Sequence, residues 1–306
     1  AAAAGAALLV ALRWRRRAQQ SPAGPEAGVE VCPLWRTCGL SPAEVRRFAR
    51  QLALPRLGAE GQGSLLRRGA LVVGAGGLGC PVALYLCAAG VGRLCLADGD
   101  AVAVSNLHRQ VGHTERRVGE NKADSLRRTC LAVNSTADVV AHPQRLSSVR
   151  EAAELAASYD LIIDCTDAPQ SRYLLNAAAL AAQRPLLAVS AVGLSGQIAV
   201  YNYKGGACLR CVFPEAPGDA DSEEPVASCE ENGVLGPVCG VLGTLAALEA
   251  LKLLAGGSLE AACLQGRLLL YDAMDSAQPC RSLRIKKRPG CPSCDGPGGE
   301  AAGVPA

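Results

Sequence analysis

Ala70-Leu71-Val72-Val73 runs directly into Gly74-Ala75-Gly76-Gly77-Leu78-Gly79, and an apolar segment, Pro81 to Ala89, follows. This order predicts a buried strand, a glycine-rich turn and a helix. Glycines belong there because the turn needs residues without Cβ, the backbone must approach a phosphate, and the first helical turn must pack on the strand. The free N–H groups at the helix start then face the anion. A second strand, Arg93 to Ala97, ends in Asp98, 19 residues past Gly79, where a strand-end carboxylate meets a ribose hydroxyl in such folds. Gly74, Gly76, Gly77, Gly79 and Asp98 are therefore candidate nucleotide-binding residues. The pattern alone does not choose between ATP and NAD, and a glycine-rich turn also serves tight packing.

Upstream, Ser41-Pro42-Ala43-Glu44 carries a cap, a proline at the first helical position and an acid three residues after the serine. A helix through about Leu54 is expected, with Arg46, Arg47 and Arg50 as solvated charges. Residues 1–40 read as a flexible or misassigned leader, with a targeting segment as the alternative. Their apolar run is shorter than the roughly 20 residues that span a bilayer. Its charge, Arg13 to Arg17, follows the apolar part, the reverse of a secretion signal.

Downstream, Ser105-Asn106-Leu107-His108-Arg109-Gln110 is a polar cluster without apolar period, and Lys122 opens a helix to about Val133. Such a loop at the carboxyl end of a strand is where open α/β sheets build ligand sites. Arg109 and Lys122, beside a phosphate-type glycine loop, form a possible anion clamp. The strand Leu161-Ile162-Ile163 then delivers Asp164-Cys165-Thr166-Asp167, where Asp167 suits Mg²⁺ or, equally, the cap of a helix starting at Pro169. Alternating strands and helices to about Ser190 predict a parallel sheet covered on both faces. Further strands are expected over Gln197–Tyr203, Arg267–Tyr271 and Ser282–Lys286, with an apolar helix from about Val238 to Leu254.

Fifteen cysteines is a high count, yet it is odd, and Cys87, Cys95, Cys130 and Cys165 lie in apolar runs where a thiol behaves as a small hydrophobe. That usage implies a reducing compartment. Cys208-Leu209-Arg210-Cys211 and Cys291-Pro292-Ser293-Cys294 form two C-x-x-C pairs, the four thiolates of a closed, structural Zn²⁺ site. A redox pair is the weaker reading, because neither motif is expected to open a helix after a strand. Cys229 lies at the end of an acidic loop, Pro214 to Pro225 and onward, expected to be mobile. It is a candidate nucleophile with no neighbouring His or Lys to lower its pKa. The 306 residues, 49% hydrophobic and only 3% aromatic, support a sizeable aliphatic core. A formal charge of +3 gives no argument for a nucleic-acid face, and no segment argues for a membrane.

Jointly, Arg50-Gln51, the G-x-G-G-L-G loop, Asp98, Ser105-Asn106-Leu107 with Arg109-Gln110, Lys122, Asp164 to Asp167, the C-x-x-C pairs, and Cys229 before Gly233-Val234-Leu235-Gly236 resemble the ubiquitin-activating-like adenylyltransferases. That family includes the bacterial molybdopterin and thiamine sulfur-carrier activators, and the resemblance runs from about Ser41 to Cys294. It implies a Rossmann-like, doubly wound α/β fold, mostly parallel with additional antiparallel strands and a structural zinc site of four cysteines. It also implies one ATP-binding adenylyltransferase domain over 41–295, followed by a tail, 296–306, without the rhodanese domain of the eukaryotic members.

The implied activity is ATP- and Mg²⁺-dependent adenylation of the C-terminal Gly-Gly carboxylate of a ubiquitin-like sulfur carrier, feeding molybdopterin synthesis or tRNA thiolation in the cytosol. The glycine loop, Asp98, Ser105, Asn106, Leu107, His108, Arg109, Lys122, Asp167 and Ala168 would contact the nucleotide. Arg50 would reach a partner subunit's site in a homodimer, Cys229 would take the acyl group as a thioester, and a separate protein would donate sulfur. Ala168 stands where the family usually has Asn, which removes an amide from the nucleotide site. An NAD-dependent oxidoreductase or an inactive module binding ubiquitin-like tails are the rivals. Stabilisation by NADH and not ATP would favour the first.

Overall fold

The computed structural model describes residues 39–215 and 233–295. Helices α1 (Pro42–Leu52) and α2 (Gly58–Arg67) lead into strand β1 (Gly69–Val73), helix α3 (Gly79–Ala89) and strand β2 (Arg93–Ala97). Helix α4 (Lys122–Val133), β3 (Asp138–His142), α5 (Val149–Ala156), β4 (Leu161–Asp164), α6 (Pro169–Ala181) and β5 (Leu186–Val192) complete the parallel part. Then come β6 (Ser195–Tyr201), the short α7 (Leu209–Val212), α8 (Gly236–Ala255), the short α9 (Gly257–Glu260), β7 (Arg267–Asp272) and β8 (Cys280–Arg284).

The eight strands lie in the order β3-β2-β1-β4-β5-β6-β7-β8, parallel through β5 and antiparallel from β6 onward. Strand β1 is buried at every position because its alternate residues feed two cores. Ala70 and Val72 pack with α3, α4 and α8, whereas Leu71 and Val73 pack with α5 and α6. A strand covered on both faces must be continuously apolar, which is why it was legible. Helix α8 is long and apolar enough to cross a bilayer, yet here it packs against α3, α2 and β5 as the central helix of one layer.

Local chemistry explains the element starts. Ser41 and Glu44 form a reciprocal capping box on α1, and the Asn121 side chain accepts from the N–H groups of Ala123 and Asp124 to start α4. Helix α2 was not anticipated, since Gly58, Gly61 and Gly63 argue against a helix. Tertiary contacts override propensity there: buried Gln62 donates to Ala89 O at 3.0 Å and accepts from Gln51 at 2.6 Å. The expected strands over 197–203 and 282–286 each begin two residues earlier, at Ser195 and Cys280.

Candidate active site

The sheet order reverses between β1 and β4, so their carboxyl ends diverge and leave a crevice, the place where open α/β sheets bind ligands. A cavity lies there, lined by Gly74, Gly76, Gly77, Asp98, Arg109, Lys122, Asp167 and Ala168, among others. Gly74 has φ +95°, and a Cβ on Gly79 would stand 1.8 Å from Gly74 O. Only glycine lets α3 start so close to the turn, so Gly79 shapes the loop from behind the lining. Helices α3, α6 and α8 all begin without a side-chain cap, and Leu78, Ala168 and Val234 at or beside their starts line the cavity. Three helix dipoles thus present their positive ends to one space, which favours an anion.

Asp98 is set by backbone: its Oδ2 accepts from Ala75 N at 2.7 Å and its Oδ1 from Asp100 N at 2.8 Å. Burial pushes its pKa up against those two bonds. Ala75 is held from the other side as well, because its carbonyl lies 2.8 Å from His113 Nε2. That geometry makes Nε2 the protonated nitrogen, and Nδ1 then accepts from Ser125 Oγ at 2.8 Å. Burial lowers the His113 pKa. The loop peptide is therefore gripped at both its N–H and its C=O.

Asn121 Nδ2 donates to Asp98 O at 2.8 Å and so brings the start of α4 to the end of β2. Buried Lys122 consequently pairs with Asp100 at 2.9 Å, and Arg145 approaches the same carboxylate at 3.1 Å. Burial raises the Asp100 pKa, but Lys122 and Arg145 outweigh it and leave the net shift downward. Arg109 reaches the cavity beside Gly77, while Gln110 leaves a buried Oε1 without a partner at its wall. An unpaired buried acceptor facing a cavity is a place for a ligand donor.

Ser105, Asn106, Leu107 and His108, expected to contact the nucleotide, are not among the residues that line this cavity. They form a tight turn in which Asn106 O accepts from the N–H groups of Arg109 and Gln110. The turn thereby directs those two side chains inward. Arg50 is exposed on α1 and is not among the lining residues. Cys229 lies outside the described residues.

The paired acids after β4 divide their roles. Asp164 is fully buried, its Oδ1 accepting from Thr166 N and Oγ1, and burial raises its pKa. Asp167 is exposed and lines both this cavity and a second one. The N-cap of α6 is Ala168, so capping does not occupy the Asp167 carboxylate. The second cavity is a groove of about 920 Å³ along β5–β8, walled by Arg172, Tyr173, Val212 and Phe213 and floored by Gln197 and Leu270.

Beside that groove the sulfurs of Cys208, Cys211, Cys291 and Cys294 converge, with contacts of 3.8, 3.7 and 3.5 Å and all four within 4.8 Å. A tetrahedron with sulfur at about 2.3 Å from a central ion has edges of about 3.8 Å, so the set fits a metal. Disulfides require about 2.05 Å. Burial pushes the Cys291 thiol up, but the N–H groups of Ser293 and Cys294 and neighbouring thiols bring it down to about 7. One expectation is corrected: Cys208 does cap a short helix, α7, soon after β6. What separates the set from a redox pair is the convergence of four sulfurs. Asn176 in α6 ties the two sites together, its Oδ1 accepting from Leu209 N at 2.9 Å beside Cys208.

Asp100, Gln144, Arg145, Leu146 and Cys239, not singled out from the sequence, also line the first cavity. Asp100 carried a signal, a second acid after the strand-end Asp98. Gln144 to Leu146 followed a strand, β3, whose partly polar sequence hid it.

Residues 48–293 match the ThiF family. The chain is 47% identical over 266 residues to a bovine protein named adenylyltransferase and sulfurtransferase MOCS3, covering 87% of this chain and 56% of that one. A Dictyostelium discoideum protein of the same name is 44% identical, with 83% and 58% covered. The chain thus spans little more than half the length of these curated relatives. Among solved structures, Escherichia coli MccB superposes with a TM-score of 0.70 at 20% identity, covering 85% of this chain and 75% of MccB.

Proposed function

The chain belongs to the ThiF family, and from that premise we propose that it adenylates the C-terminal carboxylate of a ubiquitin-like sulfur-carrier protein ending in Gly-Gly. One observation carries the reading: Asp167 and Ala191 belong both to the nucleotide cavity and to the groove across the antiparallel strands. A peptide tail lying in the groove ends with its carboxylate at the phosphates of a nucleotide in the cavity.

In this reading the glycine loop and the start of α3 receive the phosphates, and Asp98 takes the ribose. A carboxylate oxygen attacks the α-phosphorus and pyrophosphate leaves. Arg109 and Lys122 stabilise charge developing on the phosphate oxygens, where positioned cations act with most effect. Asp167 would hold Mg²⁺, an ion that lends further positive charge to the phosphates. The four cysteines would hold Zn²⁺ and join the segment after β8 to the segment after β6, a structural role. Ala168 supplies no amide, so nucleotide affinity rests on the backbone and the cations.

Arg50, exposed on α1, is assigned to a second subunit's site in a homodimer. Cys229 is assigned as the acceptor thiol: its thiolate attacks the acyl carbon and AMP leaves. Val234 lines the cavity, and the five intervening steps of chain reach at most about 18 Å, within range of that transfer. The setting is cytosolic, and the product serves molybdopterin synthesis or 2-thiolation of tRNA.

The test is ATP–pyrophosphate exchange with Mg²⁺, with and without a ubiquitin-like carrier ending in Gly-Gly. Carrier-dependent exchange is expected. Its absence with every such carrier, in a folded and zinc-replete preparation, would leave an inactive tail-binding module.

A further inference from the structure

Resting on that reading, we propose that the basic outer edge of the sheet, Arg281 to Arg288, docks an acidic face of the carrier's folded body. The register of the antiparallel strands gives the distance. Ser190 pairs with Gln197, Gln197 with Leu270 and Leu270 with Arg281, so one row crosses β5, β6, β7 and β8, and all four residues line the groove. Three strand spacings of about 4.8 Å make that row about 14 Å long, which about four to five extended residues span. A tail whose carboxylate reaches Asp167 therefore leaves the groove over β8, and the body it belongs to sits beyond that strand.

Strand β8 is the last of the sheet, paired only with β7 and exposed along its whole length. From Arg281 to Arg288 the chain carries Arg281, Arg284, Lys286, Lys287 and Arg288 and no acid. Arg281 pairs with Asp275 and Lys287 with Asp295. Arg284, Lys286 and Arg288 have no ion-pair partner among the described residues. Charged side chains also keep an edge strand from pairing with copies of itself, but Lys286 and Arg288 lie beyond the end of β8, where there is no strand edge to protect. Three cations without an ion-pair partner among the described residues, on the strand over which the tail leaves and on the segment after it, make a field that steers and orients an acidic partner. Asp272 at the mouth, Asp275 paired to Arg281, and a net charge of only +3 favour a protein over a nucleic acid.

The experiment uses the full chain and a charge-reversed variant, Arg284→Glu, Lys286→Glu and Arg288→Glu, none of which lines the cavity or the groove. Exchange is measured with a whole ubiquitin-like carrier and with a free peptide of about six residues matching its tail. The variant is expected to raise KM for the whole carrier roughly tenfold at low salt and to flatten its salt dependence, leaving kcat and the peptide KM unchanged. An unchanged carrier KM overturns the proposal, as does an equal change with the peptide. Loss of RNA binding with carrier KM intact overturns it in favour of a nucleic acid. Exchange with neither substrate in the wild type defeats the adenylation reading. Direct binding of the same carrier then decides the docking, and equal affinity for wild type and variant overturns it.

Discussion

The two halves of the sheet reach their working geometry by different means. On the parallel side three groups at the cavity are fixed from within the chain: Asp98 by two backbone N–H groups, Ala75 by Asp98 and His113, and Lys122 by Asp100. On the antiparallel side the strands become progressively exposed, and β8 has no buried residue at all. There the sulfurs of four cysteines converge within 4.8 Å of one another. In our reading the nucleotide end is preorganised by hydrogen bonds, whereas the acyl-donor end is completed by a metal and a partner. Preorganisation suits the end where charge develops, because a site that must rearrange stabilises a transition state less.

The largest expected effect tests that division directly. Replacing Cys208→Ser should abolish stoichiometric metal, measured by elemental analysis. It should also cost about 4 kcal/mol if the ion is normally present near a thousand times its dissociation constant. Chemical denaturation should locate the loss on the antiparallel side, with ATP binding retained. Loss of ATP binding together with the metal would break the comparison, since the halves would then fold as one unit. Next comes Lys122→Ala, expected to slow ATP–pyrophosphate exchange by about 10² to 10³, the range for removing one positioned charge. Stability should change little, because Asp100 keeps Arg145. A loss below tenfold would make Lys122 a structural cation.

How much of this was legible follows the same division. Strand β1, the glycine loop, β2 and α8 stood out because burial on both sides demands continuous apolar sequence and close approach demands glycine. The four-cysteine set was legible from spacing alone. Arg145 and Gln144 were not, because β3 is half polar and their approach to the site depends on strand pairing, not on local pattern. In the turn from Ser105 to His108 the polar run after a strand end indicated a site, and it is the Asn106 hydrogen bonds that bring Arg109 and Gln110 to the cavity wall. Helix α2 was invisible because buried Gln62, and not its own propensity, holds it.

Between the halves lies α6, and Asn176 is its link to the thiol cluster. Asn176→Leu keeps the branched shape but leaves the Leu209 N–H buried and unpaired, which should cost about 1–3 kcal/mol. A metal ligand's supporting bond typically changes affinity by about 10- to 100-fold, so extraction of the ion by a chelator should accelerate. An unchanged extraction rate with lowered stability would mean that Asn176 supports the fold alone, and that α6 does not couple the two ends.

The smallest effect concerns the preorganised side at low pH. His113 is neutral in the fold, its pKa lowered from 6.5 first by burial and then by Lys122 and Arg117, against the Ala75 bond and Asp98. Below pH 6.5 the unfolded chain takes up a proton that the folded chain refuses. This contribution to stability is therefore present above 6.5 and is lost as pH falls through the lowered value. His113→Gln, which keeps one bond, should cost only about 1 kcal/mol at neutral pH and should remove that part of the pH dependence. Urea denaturation at about pH 7.5 and about pH 5.5 checks both, since the two conditions bracket the imidazole. The KM for ATP should also rise in the variant at both pH values, with kcat little changed, because Ala75 would be held from Asp98 alone. A pH dependence identical to wild type would show that the imidazole does not set the acid sensitivity of the loop, and the grip on Ala75 would then rest on Asp98.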